Sequence, residues 1–271
     1  MDSRHDMRKR KIPLAPLVVL VLACAVPWPS WISEGSSRTD GEKLTYTLRW
    51  GPIRAGTATL ESLGRAEVDG RQALHFRGTI QTESFAAVIH NVRNTLEGFT
   101  DPGMSRTLLY LRNQEGAGEL NHARIVFDTE NNTATYCKSG QRCRTPIPIH
   151  SNTLDPISCI FWFRSFSLGE PAETRIHVSN GRTAVWVAVR FAGREQVTTP
   201  AGMFTTFKVE ATIEWGRGFF GGSQTTKLLV WFTDTPERLP VMAQGALVFG
   251  PFMAELIDIS RPGPEPPLRV G

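Results

Sequence analysis

From Leu44 to Ile259 the chain alternates apolar and polar residues and is interrupted by turn signals at short intervals. A period of two places successive side chains on opposite faces of a strand, and connections this short join antiparallel neighbours, because a parallel crossover needs a dozen or more residues. Leu44–Trp50 alternates up to Gly51-Pro52, Ala55–Leu60 follows, and Asp69-Gly70 separates it from Leu74–Ile80. Val92–Phe99 and Thr107–Arg112 flank Asp101-Pro102-Gly103, where Pro presets φ and Gly is expected to supply a positive φ. Ala123–Phe127 and Thr133–Cys137 flank Glu130-Asn131-Asn132. The pattern resumes at Thr174–Val178 and Thr183–Phe191 around Asn180-Gly181, a strong hairpin signal. Further strands are expected at Glu195–Thr198, Phe204–Ile213, Thr226–Phe232, Met242–Val248 and Phe252–Ile259.

Two stretches break this rhythm. Ser84–His90 is short and weakly helical. The other is 153–170, TLDPISCIFWFRSFSLGE, in which Asp155 is a good N-cap and Pro156 suits the first helical position. Ile157, Ile160, Phe161 and Arg164 fall on one stripe, and Trp162, Phe163 and Phe166 make most of the remaining circumference apolar, as in a buried helix that Gly169 would end.

The N-terminus has a different character. Met1–Lys11 carries Arg4, Arg8, Lys9, Arg10 and Lys11 against Asp2 and Asp6, a local charge of +3 out of the chain's +4. The rest is close to neutral, so the basic pI of 9.0 does not indicate a nucleic-acid-binding surface. No charge occurs from Ile12 through Ser33, and the small-residue pattern Ala23-Cys24-Ala25 completes a secretory signal over 1–25, with cleavage after Ala25. Lipidation of Cys24, in Val21-Leu22-Ala23-Cys24, and an uncleaved anchor, weakened by Pro13, Pro16, Pro27 and Pro29, are the alternatives. Each places the folded part outside the cytoplasm, in the periplasm or cell envelope, with membrane contact only through the N-terminus. Residues 26–43 are then a flexible linker, 44–260 a single β-rich domain, and the Pro-rich 261–271 a disordered tail.

In an oxidising compartment Cys137 and Cys143, which flank Lys-Ser-Gly-Gln-Arg, are expected to form a disulfide; five intervening residues match neither a redox C-x-x-C nor a zinc knuckle. Cys159 is left over. The dipole at a helix N-terminus lowers a thiol's pKa, whereas its apolar neighbours favour a small core residue.

Motifs for catalysis are absent from the sequence. His75, His90, His122, His150 and His177 are scattered, with no H-E-x-x-H, no carboxylate cluster, no G-x-S-x-G elbow, no P-loop and no dinucleotide fingerprint, so no catalytic residue, metal or cofactor is assigned. Trp215, Phe219 and Phe220 sit in a glycine-rich connection and either line the mouth of a pocket, touch a membrane or partner, or fold back on the core. Asp234 and Arg238, after the strand ending at Phe232, are expected to form a structural ion pair or Asx-turn.

Four ordered blocks carry a resemblance: Tyr-x-x-x-Trp-Gly-x-x-x-Ala-Gly-x-Ala-x-Leu (46–60), Leu-Asp-x-Ile-Ser with Phe-Arg downstream (154–164), Glu-x-Val-x-Thr-x-x-Gly-x-Phe (195–204), and Trp-Phe-Thr-Asp-x-x-x-Arg-x-Pro-Val (231–241). In this order they resemble the exported bacterial family called domain of unknown function 3108. The match departs at Phe161-Trp162, where a Tyr is expected, and in the Cys pair. The resemblance implies a mostly β envelope protein with a strongly curved antiparallel sheet, a half-barrel or open barrel, and carries no reaction with it.

A curved sheet needs its concavity filled by side chains, a helix or a ligand. The expectation is therefore a non-enzymatic protein with one short buried helix in that concavity. Ile160, Phe161, Phe163, Trp215, Phe219 and Phe220 would contact an apolar or amphipathic, lipid-like ligand. A structural or assembly partner that binds another envelope protein, and an envelope hydrolase, are the alternatives.

Overall fold

The structure is a computed structural model, and it describes residues 40–83, 92–116, 119–165, 173–214, 225–247, 250–263 and 265–271. The leader 1–25 with Cys24, most of the linker, Ser84–His90, Phe166, Gly169 and Trp215, Phe219 and Phe220 lie outside the described residues.

Two antiparallel meanders make one sheet. The first is β1 (Glu42–Trp50), β2 (Ile53–Val68), β3 (Arg71–Thr82), β4 (Val92–Thr100), β5 (Thr107–Gly116), β6 (Glu119–Asp128), β7 (Thr133–Lys138) and β8 (Ile147–Pro148). Helix α1 (Ser158–Ser165) follows, and then β9 (Thr174–Ser179), β10 (Ala184–Thr199), β11 (Gly202–Glu214), β12 (Thr225–Thr233), β13 (Pro240–Leu247) and β14 (Gly250–Ser260). The first and last long strands, β1 and β14, pair with each other and join the meanders, so the sheet runs in the order β8-β7-β6-β5-β4-β3-β2-β1-β14-β13-β12-β11-β10-β9.

The fold is mostly β and strongly curved but not closed into a barrel. Register shifts at Ser62/Gly64 and Phe191/Gly193 bend the two longest strands, with Gly64 at φ 90 and Gly193 at φ 123. The second shift also joins Thr183–Phe191 and Glu195–Thr198, read as two strands in the sequence, into the single strand β10. The open side is spanned by a strap. Thr153 O accepts from Thr107 N on β5 at 3.0 Å, and Leu154 forms an isolated parallel bridge to Val178 on β9.

Curvature brings both meanders onto α1. Cys159 and Phe163 pack with Val187, Phe207, Val209, Val230 and Phe232 of the second meander, with Phe163 and Phe232 centroids 4.6 Å apart. Ile157 and Phe161 pack with Phe76, Leu96, Tyr110, Ile125 and Tyr136 of the first, where Phe161 stacks on Phe76 at 4.3 Å. An eight-residue helix is marginal in water by itself, so this two-sided burial is what holds it.

Three local expectations are corrected. Positive φ after Pro102 falls on Met104 (φ 52), not Gly103, because Asp101 accepts from Ser105 N at 2.6 Å and Arg106 N at 3.1 Å and so sets the loop from its first residue. The linker ends earlier than 43, since β1 starts at Glu42. The tail is not wholly disordered: Leu268–Val270 forms β15, pairing in parallel with Ala66–Val68 of β2. β1 covers β2 only as far as Ser62, so the backbone groups of β2 beyond it offer an edge that the Pro-free end of the tail can fill. Glu265 adds an ion pair to Arg77 at 3.0 Å.

Candidate functional site

Between α1 and the sheet lies an apolar cavity of ≈ 110 Å³, open to solvent on one side. Its walls are the inward residues of β1–β3 and β12–β14. Leu48, Ala254, Ala243 and Val230 lie in one cross-strand row, and Tyr46, Ala58 and Ile80 in another. Ile157 and Ile160 of the helix segment close the inner side. The space exists because Ala58, Gly78, Ala243 and Ala254 are small residues among the bulkier Leu, Val, Ile, Met and Phe side chains of the wall. Gly78 also lets the helix approach, since a Cβ there would lie 2.5 Å from Ile157 Cδ1.

The lining is almost free of polar groups. Tyr46 Oη donates to Pro240 O at 2.7 Å, and the Thr59 and Thr79 hydroxyls bond each other at 2.6 Å. Burial pushes the Tyr46 phenol far above its ordinary range, with the Arg164 charge opposing and the Glu42 charge reinforcing, so it stays neutral. Such a wall can bind and orient apolar groups. Among the described lining residues there is no carboxylate, imidazole, amine or thiol.

Ile160 lines the cavity, while Phe161 and Phe163, expected there as well, fill the two flanking cores instead. Successive helical residues advance by about 100°, and this carries Phe161 toward the first meander and Phe163 toward the second. Asp155 is fully buried and caps the helix, accepting from Ile157 N at 2.8 Å, Ser158 N at 3.0 Å and Thr107 Oγ1 at 2.7 Å. Burial raises its carboxyl above the usual range, and these hydrogen bonds oppose the rise. Cys159 N bonds Asp155 O at 3.1 Å, which places Pro156 in the first turn. Cys159 is a buried thiol whose Sγ donates to Pro156 O at 3.3 Å.

The expected Asp234–Arg238 pair does not form. Asp234 pairs with Arg194 at 2.9 Å, while the Arg238 guanidinium turns inward over the Phe207 ring, 5.9 Å from its centroid. Burial lowers the Arg238 guanidinium below its ordinary range, and the Asp234 charge opposes this from beyond ion-pair distance. Cys137 and Cys143 form the disulfide. Among the described residues, no three His, Cys, Asp or Glu side chains come together as a metal site.

The fold and site define a β-barrel-like domain with a helix-plugged concavity and a residual apolar cavity. Residues 45–257 match the family of proteins of unknown function DUF3108, and the chain belongs to that family. Among solved structures it is similar to a β-barrel-like protein of domain of unknown function DUF1849 from Brucella abortus, with TM-score 0.58 and 10% identity, covering 82% of this chain and 98% of that one. At that identity the likeness shows the fold alone. Weaker similarity, with TM-score 0.39 and 13% identity, links it to a "putative lipoprotein" from Parabacteroides distasonis, covering 82% of this chain and 96% of that one. A search of curated proteins finds no match.

Proposed function

We propose that this protein binds an apolar or amphipathic, lipid-like molecule in the cell envelope, outside the cytoplasm, by taking an apolar segment into the cavity beside Ile157 and Ile160. The observation that carries this reading is the cavity itself: ≈ 110 Å³, walled by aliphatic and aromatic side chains and open on one side. An apolar cavity of ~150 Å³ stays dry and admits a benzene-sized guest. This one suits a short stretch of chain, with the rest of the molecule leaving through the opening. Each methylene transferred from water contributes about 0.8 kcal/mol. The disulfide supports an oxidising compartment.

The test is native mass spectrometry of protein purified from its own envelope without detergent, with titration of an apolar fluorophore such as phenylnaphthylamine. A co-purifying lipid mass and saturable fluorophore binding displaced by a fatty acid are expected. No adduct together with no saturable binding would remove the proposal.

A further inference from the structure

A second site stands apart from the cavity and does not depend on it. Two arginines from distant parts of the chain lie over Tyr136, an inward residue of β7 that is 4% exposed, and a third, Arg112, is near enough for its charge to act on one of them, Arg182. Arg182, in the turn between β9 and β10, places its guanidinium 4.8 Å from the ring centroid, and Arg144, just after the disulfide, places its own at 5.7 Å. Arg112 comes from β5, where register sets it beside Ala123 of β6, and Ala123 in turn pairs with Lys138 of β7.

The geometry holding these groups is built, not incidental. Asn180 Oδ1 accepts from Arg182 N at 2.9 Å and Thr183 N at 3.0 Å, which fixes the turn, and a Cβ at Gly181 would lie 2.5 Å from Ile125 Cγ2. The turn is thereby seated directly on β6. Arg144 N donates to Tyr136 O at 2.9 Å, and the Cys137–Cys143 bridge closes the loop that delivers it.

Among the described residues the cluster lacks a counter-charge. Several arginines elsewhere pair with carboxylates, as Arg77 does with Glu265 and Arg190 with Glu210. Among the described residues Arg112, Arg144 and Arg182 have no such ion pair, and Arg112 Nε is buried without a hydrogen-bond partner. Partial burial first, and then the charges of Arg144 and Arg112, lower the Arg182 guanidinium below its ordinary range, with Tyr136 acting the other way. Guanidinium groups present planar pairs of donors that match carboxylate and phosphate oxygens, and a shared anion relieves repulsion among like charges.

We propose that Arg112, Arg144 and Arg182 form an anion-binding site that takes a phosphate or carboxylate group beside the Tyr136 ring. The anion is either free or the headgroup of a lipid.

Calorimetric titration of the full, oxidised chain with inorganic phosphate, at constant ionic strength against a chloride blank, tests this. Saturable binding is expected, weakened at least tenfold by Arg144→Gln or Arg182→Gln. Both residues are exposed, so unchanged circular dichroism will show that the fold persists. Dihexanoyl phosphatidic acid distinguishes the sources: affinity more than tenfold above that of phosphate assigns a lipid headgroup, and equal affinity assigns a free anion. No saturable phosphate binding, or the same affinity in both variants, overturns the site. Ala243→Phe, on the cavity wall, should leave phosphate affinity unchanged, so failure of the cavity reading and failure of this one are distinguishable.

Discussion

Arg164 Nη1 lies 2.6 Å from Glu42 Oε1, with both side chains buried. The pair ties the last turn of α1 to the first residue of β1, and Arg164 Nε adds a bond to Glu237 O at 3.1 Å in the turn before β13. Removing one partner of such a pair strands a buried charge and costs about 3–5 kcal/mol. Arg164→Met and Glu42→Gln are each expected to destabilise by that order, and the double variant by clearly less than their sum. Chemical denaturation of the four proteins measures the coupling; additive losses would contradict it.

The other end of the helix rests on a glycine. A Cβ at Gly98 of β4 would lie 2.7 Å from both Asp155 carboxylate oxygens and would also meet Ser158 Oγ. Gly98→Ala should therefore displace the cap and cost about 1–3 kcal/mol, against a few tenths for Gly103→Ala in an exposed loop, where a Cβ would meet only Asp101 Oδ2 at 3.9 Å. Urea midpoints compare the two.

His177 provides a pH dependence. Its Nδ1 accepts from His150 N at 3.3 Å and lies 2.7 Å from Thr153 Oγ1, so its lone pair faces the His150 N–H. Burial, and then the His150 charge, lowers its pKa to about 4. The unfolded chain, with an imidazole near 6.5, binds the proton first. The stability due to neutral His177 is thus complete above pH 6.5 and is lost as the pH falls toward 4. Denaturation midpoints between pH 7 and pH 4 should fall more steeply for wild type than for His177→Gln; equal slopes would remove His177 as the cause.

The disulfide links redox state to the arginine cluster. Closing so short a loop contributes about 2 kcal/mol on the loop-closure account, and it also holds Arg144 over Tyr136. Cys137→Ser with Cys143→Ser is expected to lower phosphate affinity about tenfold at unchanged strand content. Calorimetry and circular dichroism on the double variant report the two quantities separately.

Short-range chemistry explains what could be read from the sequence. The strands follow from alternation, and the Asp155 cap and the 137–143 bridge depend on residues a few positions apart. Features that depend on how two meanders meet were not legible. Phe161 and Phe163 looked equivalent to Ile160 on an all-apolar helix, and only the curved sheet separates wall from filler. The cavity's signal is an absence of bulk at Ala58, Gly78, Ala243 and Ala254, which means nothing until register aligns them. Arg112, Arg144 and Arg182 are separated by tens of residues and share no motif. Leu268–Val270 gave no strand signal because its partner edge exists only where β1 stops.

The most direct test of lipid-like binding is to fill the cavity. Ala243 lines it between Val230 and Ala254, and Phe at this position would occupy the space. Fluorophore titration of Ala243→Phe, with its melting temperature at or above that of wild type, should show affinity at least tenfold weaker. Wild-type affinity in a folded Ala243→Phe protein would contradict the assignment of this cavity as the binding site.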